Sequence, residues 1–288
     1  MEKIVLITGA TDGIGKEVAT QLAQKGYHVL LHGRNAVKAA QVQQAIITET
    51  GNQNVTPVIA DLFDLQAVQA MAEKIRNDYD RLDVLINNAG AYLGKVRRTN
   101  AAGLEHTLTL NVLAPFLLTN LLLPLIQKSP AGRIVNTSSA MHRRAGRPDF
   151  EDFQFAHDFE PARAYAISKL YVIWLTRHWA QVLADRHITN VTVNASHPGA
   201  VATNFGLADD KGWLPNLIFK LAPMFESTPA KGAQTTVYLA DSPAVATVTG
   251  AFFNQKKKRE RPNDRYYSAA AEQAVWDHCL ALVKPYLD

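Results

Sequence analysis

The sequence predicts an α/β protein with a doubly wound parallel sheet, and three observations carry that reading. Short runs rich in Val, Ile and Leu alternate along the chain with segments of helical period. The runs are apolar throughout, as strands covered on both faces must be. Each is followed by a stretch long enough to return the chain through a helix to a parallel neighbour.

Taken in order, KIVLIT (3–8) runs through TGATDGIG (8–15) into the helical pattern GIGKEVATQLAQKG. HVLLHG (28–33) precedes AVKAAQVQQAIITET, NVTPVIA (54–60) precedes LQAVQAMAEKIRNDY, and LDVLIN (82–87) precedes an apolar helical segment at 103–127. RIVNTS (133–138) leads to RAYAISKLYVIWLTRHWAQVLADR, TNVTVNAS (189–196) to PAKGAQTTVYLAD, and GAFFN (250–254) closes the series at seven strand runs. Two segments break the rhythm, 140–163 and 200–228, and loops of that length in a compact domain tend to be lids or binding loops. The chain therefore reads as one catalytic domain over 1–288 with an inserted loop at 140–163 and a substrate lid at 200–228. Phe205, Leu207, Trp213, Leu214, Leu217, Ile218, Phe219 and Leu221 make that lid apolar if they face a cleft, and say nothing of a ligand if they pack onto the sheet.

Composition narrows the class. An apolar fraction of 47% suffices for a sizeable core, and the one cysteine, Cys279, excludes an intramolecular disulfide and fits a reducing compartment. MEKIVLITGA starts a β-branched run at once, which reads as a cytoplasmic start without a leader. The segment 112–127 is broken by Pro115, Asn120 and Pro124 and reads as a buried helix, with no stable membrane insertion. Net charge is +4, with much of the excess in KKKRER (256–261); without interleaved aromatics this is a solvated loop and not a nucleic-acid site. The nine histidines are scattered, so His142, His157 and His197 read as loop or supporting groups and no metal site is expected.

Three motifs carry chemistry. Gly9, Gly13 and Gly15 stand between a strand and a helix, where backbone N–H groups and the positive helix end suit a dinucleotide pyrophosphate. Their Gly-x-x-x-Gly-x-Gly spacing differs from the commoner Gly-x-Gly-x-x-Gly turn. Tyr165 and Lys169 stand four residues apart, on one helical face, beside each other. A free phenol ionises near pH 10, and a neighbouring ammonium with a cationic nicotinamide lowers that by about 1–3 units, toward efficient proton transfer at neutrality. At the end of the second strand Gly33 and Arg34 replace the acidic residue that would bind a ribose 2′-hydroxyl; a guanidinium suits a 2′-phosphate, so NADP(H) is favoured over NAD(H).

Together, TGATDGIG, NNAG (87–90) and YAISK (165–169) resemble the short-chain dehydrogenase/reductase family over nearly the whole chain. The insertion, FEDF within it and SHPGAVATNF downstream are most similar to the branch containing retinol dehydrogenases. The resemblance implies a Rossmann-type fold and a catalytic tetrad of Asn111, Ser139, Tyr165 and Lys169, with Ser138 the lesser candidate for the serine and Asn111 steadying a water relay. Ser139 lies 26 positions before Tyr165, a longer interval than in simple members, because 140–163 is inserted. Cofactor contacts are implied for Gly9, Thr11, Asp12, Gly13, Ile14, Gly15, Arg34, Asp61, Leu62, Asn88, Ala89, Gly90, Tyr165, Lys169, Pro198, Gly199, Val201 and Thr203. The implied activity interconverts a ketone or aldehyde with its alcohol on a lipophilic small molecule. The implied assembly is a homodimer or homotetramer through helices 103–127 and 163–186, with Leu170, Ile173, Trp174 and Trp179 either on that interface or in the core.

Two rivals are weaker. A nucleotide-sensing interaction protein of the same fold is expected to lose Tyr165 or Lys169, and both are present. A nucleotide-sugar epimerase or dehydratase would need a larger C-terminal domain than the 88 residues after position 200.

Overall fold

Side chains alternate across a strand, so a strand buried on both faces feeds two cores at once. In the computed structural model, which describes residues 2–157, 159–199 and 228–287, Val5 and Ile7 of the first strand enter one core and Leu6 enters the other. The strands are β1 (Ile4–Ile7), β2 (His28–Gly33), β3 (Val55–Ile59), β4 (Val84–Asn87), β5 (Gly132–Thr137), β6 (Val191–Ser196) and β7 (Phe252–Phe253). They form one seven-stranded sheet in the order β3-β2-β1-β4-β5-β6-β7, every neighbouring pair parallel. Pro57 has no N–H for a ladder, and it sits on the edge strand, where a missing donor costs least.

Helices α1 (Gly13–Gln24), α2 (Ala36–Thr50) and α6 (Pro229–Asp241) cover one face; α3 (Leu65–Asp78), α4 (His106–Ile126) and α5 (Pro161–Asp185) cover the other. Local sequence sets their starts. Asn35 and Asp64 accept the N–H groups of Lys38 (2.9 Å) and Gln66 (2.9 Å), and Glu160 accepts those of Ala162 and Arg163 ahead of α5. In β5, buried Arg133 donates to the carbonyls of Leu239 and Ser242 at 3.0 and 2.9 Å, binding the negative end of α6 to the sheet. Because β1 lies between β2 and β4, the crossovers leave it in opposite directions and open a crevice above the C-terminal strand ends.

The apolar segment 112–127 belongs to α4, whose 21 residues are long and apolar enough to span a membrane but are mostly taken up inside the protein, 83% of the apolar window being buried. Its second turn, Thr109–Leu113, is π-helical, and such bulges occur often at functional sites.

A helix absent from the strand-and-helix reading of the sequence, α7 (Ala269–Val283), packs over α4 and α5. Trp276 meets Phe116 and Trp179 edge-on, each at 4.9 Å between ring centroids, and His178 pairs with Glu272 at 3.2 Å. Inside the insertion, Phe153 stacks on Tyr171 (5.1 Å) and on His278 of α7 (4.5 Å). Leu170, Ile173, Trp174 and Trp179 are therefore core residues, covered by the chain itself and not offered to a second copy. The insertion, read from the sequence as a lid or binding loop, packs Phe153 against α7 and helps to seat it.

Trp276→Ala empties the centre of this aromatic cluster and is expected to cost about 3 kcal/mol, read as a lower urea midpoint at unchanged m value.

Candidate active site

The site assembles where strand ends face helix starts. After β1, Gly9 and Gly13 adopt φ of +64° and +49°, a region that only glycine enters freely. A Cβ on Gly15 would lie 2.2 Å from the carbonyl oxygen of Gly9, so the first turn of α1 packs directly on the turn backbone. Asp12 caps that helix through the N–H of Gly13 (2.8 Å) and pairs with Lys38 (2.7 Å), while Thr11 and Ile14 are partly exposed beside it. The Thr8 hydroxyl accepts the N–H groups of Asn88 (3.0 Å) and Ala89 (2.9 Å), and the Asn88 amide donates to the Thr8 carbonyl (2.8 Å). The glycine turn and the Asn-Ala-Gly loop are thus one hydrogen-bonded unit.

His32, which the sequence reading passed over, completes it. Its Nδ1 accepts the Gly9 N–H at 3.1 Å, so Nε2 bears the proton and donates to the Ala60 carbonyl at 3.2 Å. One neutral imidazole joins the ends of three strands under the turn. The only cue in sequence was a second histidine, after His28, in a strand otherwise made of Val, Leu and Gly.

Ser138 and Ser139 separate cleanly. The Ser138 hydroxyl is buried and donates to the Lys169 carbonyl (2.7 Å), whereas Ser139 hydrogen-bonds the hydroxyl of Tyr165. Lys169 donates from Nζ to the Thr137 carbonyl at 3.0 Å and lies 5.8 Å from the centre of the Tyr165 ring. Asn111, in the π-helical turn, gives its amide protons to the Ala91 carbonyl and the Ser168 hydroxyl, each at 3.1 Å, and accepts the Ala91 N–H at 3.0 Å. A Cβ on Gly90 would sit 2.9 Å from both Asn111 Oδ1 and Lys169 Nζ, so only glycine lets the loop pass between them.

The electrostatics depart from expectation. Burial pushes the Tyr165 phenol up to about 12, with the Ser139 hydrogen bond pulling weakly the other way. Burial pulls the Lys169 ammonium down to about 7. In the protein alone, desolvation therefore dominates both groups, whereas the lowering expected of Tyr165 belongs to the pair with a cationic nicotinamide alongside.

Gly33 ends β2, and a Cβ there would lie 2.4 Å from the Thr11 methyl group. Arg34 and Asp61 are exposed and Leu62 is buried after β3. Pro198 and Gly199 (φ +78°) follow β6. Every predicted site residue except Val201 and Thr203, which with most of the 200–228 lid lie outside the described residues, thus stands at the C-terminal ends of β1 to β6 or on the helix turns facing them. Asn87, Asn111, Thr119, Asn136 and Thr137 line a small pocket of about 20 Å³ beside Ala89.

The short chain dehydrogenase family model matches residues 3–211. The chain belongs to the short-chain dehydrogenase family. Among curated proteins, this family member is 37% identical to mouse (Mus musculus) retinol dehydrogenase 14 over 270 residues, which are 90% of this chain and 79% of that protein. It is 34% identical to human (Homo sapiens) polyprenol dehydrogenase over 280 residues, 96% of this chain and 83% of that protein. Among solved structures, a Shigella flexneri short chain dehydrogenase complexed with NADP is 32% identical, with a TM-score of 0.67 over 88% of this chain and 97% of that one. A Mycobacterium paratuberculosis protein gives a TM-score of 0.72 at 28% identity, covering 98% of this chain and 93% of that one. The family makes this dehydrogenase an oxidoreductase that uses a nicotinamide cofactor.

The neutral His32 yields a pH dependence. Burial holds its folded-state value down at about 4, below the ordinary 6.5, so the unfolded chain takes up a proton that the folded chain refuses. Stability is complete above pH 6.5 and falls as pH drops toward 4, by about 3 kcal/mol in all from this group. Urea unfolding between pH 7 and 4 should show that loss, and His32→Asn, which keeps an acceptor for Gly9, should flatten it.

Proposed function

We propose that the chain is an NADP(H)-preferring oxidoreductase interconverting a ketone or aldehyde with its alcohol on a lipophilic substrate. The observation that carries this reading is the meeting of Ser139, Tyr165 and Lys169 beside the Asn88–Gly90 loop, with Asn111 braced behind it.

The residues fit a dinucleotide: the glycine turn at the start of α1 would hold the pyrophosphate, Asp61 and Leu62 the adenine, and Asn88 to Gly90 the ribose. Pro198 and Gly199, after β6, would hold the nicotinamide end. When bound, the nicotinamide supplies or takes up the hydride. Ser139 holds the substrate oxygen, and Tyr165 gives that oxygen its proton in reduction or removes it in oxidation. A phenol held up at about 12 is fully protonated at neutral pH, a state suited to donating in the direction of carbonyl reduction. Lys169, anchored on Thr137, fixes the turn of α5 that aims the phenol. Asn111 holds the Ala91 end of the loop through two hydrogen bonds.

Preference for the 2′-phosphate is supported by two neighbouring features. Arg34 is exposed at the end of β2, and a carboxylate-bearing residue at position 33 would need a Cβ where the Thr11 methyl group stands. The NADP named with the Shigella flexneri structure agrees with this. A lipophilic substrate is supported by the relatives, a retinol dehydrogenase and a polyprenol dehydrogenase. Assembly through α4 and α5 is disfavoured, because α7 and the insertion already cover that face.

A panel of long-chain and aromatic aldehydes, ketones and alcohols, assayed with NADPH and NADH in parallel, tests the reading. Tyr165→Phe and Ser139→Ala should each lower kcat by about 10²–10⁴-fold while leaving cofactor binding near the parent value. Retention of the full rate by Tyr165→Phe would overturn the proton-donor role. Arg34→Ala should raise KM for NADPH by about tenfold and leave that for NADH unchanged; an equal effect on both would remove the case for the 2′-phosphate.

A further inference from the structure

The basic run 256–261 contains one acidic residue, Glu260, and it does not point away with its neighbours. After β7 the chain turns at Asn254, whose side chain accepts the N–H groups of Lys256 (2.9 Å) and Lys258 (3.3 Å). It then returns antiparallel, Arg259 bridging to Phe253 and the Glu260 N–H donating to the Phe252 carbonyl at 2.8 Å. This hairpin turns the Glu260 carboxylate inward, toward the ends of β5 and β6.

Two arms meet it there. Arg143 donates to Glu260 Oε1, and Arg143 belongs to the 3₁₀ turn Ala140–Arg144 that starts at Ser139. In the same turn His142 gives its Nδ1 proton to the Ser139 carbonyl at 2.6 Å, its ring 5.0 Å from that of Phe252. On the other side Nε2 of His197 stands 3.7 Å from Glu260 Oε2, and its Nδ1 accepts the Gly199 N–H at 3.2 Å. That acceptor role puts the imidazole proton on Nε2, facing the carboxylate. The two arms end on the candidate catalytic serine and on the loop beside the nicotinamide, and a Cβ on Gly199 would lie 3.3 Å from Gln255 of the same hairpin.

We propose that Glu260 is a positioning residue: through Arg143 and His197 it holds the Ser139 turn and the Pro198–Gly199 loop at a fixed separation, so that substrate oxygen and nicotinamide meet in register. The inference rests on the oxidoreductase site proposed above. It gives the basic run a task in which its lysines have no part, their side chains lying on the solvent side of the hairpin.

The test uses the full chain with NADPH and the best carbonyl substrate. Glu260→Gln should lower kcat about tenfold and raise KM for NADPH severalfold, with the melting temperature within a few degrees of the parent. In the parent, the losses from Arg143→Gln and His197→Asn should combine to less than their product; in the Glu260→Gln background that coupling should vanish. A purely structural role does not predict that loss of coupling. The triple variant Lys256→Ala, Lys257→Ala, Lys258→Ala should match the parent, and an equal loss there would assign the effect to the run's charge and overturn the proposal. So would kcat and KM for Glu260→Gln within twofold of the parent. Should Glu260→Gln not fold, Glu260→Asp, which keeps the charge and withdraws it by one methylene, carries the same measurements. If Tyr165→Phe retains full activity, the proton-donor assignment fails by itself; NADPH fluorescence titration of Glu260→Gln then decides the positioning role, an unchanged Kd refuting it.

Discussion

The hydrogen bond from buried Lys169 to the Thr137 carbonyl is the contact on which the site's geometry depends. An ammonium taken out of water must find a strong acceptor, and the Thr137 carbonyl at the end of β5 supplies one. That bond sets the rotation of α5 against the sheet. With the rotation set, Tyr165 one turn earlier faces Ser139, and the Ser138 hydroxyl locks the arrangement by donating to the Lys169 carbonyl. The pair first reads as electrostatic tuning; in the folded chain it is first a matter of placement, because burial outweighs mutual attraction in both groups.

Much of this was legible in sequence for a definite reason. Strand runs buried on both faces are apolar throughout, so seven of them stood out, and the glycine turn, NNAG and YAISK mark strand ends and a helix start that a parallel sheet gathers on one side. Consecutive side chains leave an extended chain on opposite faces, so Ser138 turns to the Lys169 carbonyl and Ser139 to the Tyr165 hydroxyl.

What was not legible depends on partners far away in the chain. His32 looks like a misplaced polar residue in an apolar strand until Gly9 and Ala60 are seen on either side of its ring. α7 lacks a conspicuous one-sided pattern, since it lies on an aromatic patch supplied by α4, α5 and the insertion. The direction of the Tyr165 and Lys169 shifts could not be read from spacing either, because adjacency says nothing of how much water remains around the pair.

The contact between position 33 and Thr11 bears on how coenzyme choice changes in descent. An ancestor or an engineered library that introduces an acidic residue at 33 alone meets the threonine methyl before it meets a ribose. The two positions are therefore sterically coupled: a side chain at 33 needs the Thr11 side chain to turn aside or a smaller one in its place. Single-site sampling at 33 would undercount the routes by which this scaffold can exchange one coenzyme for the other.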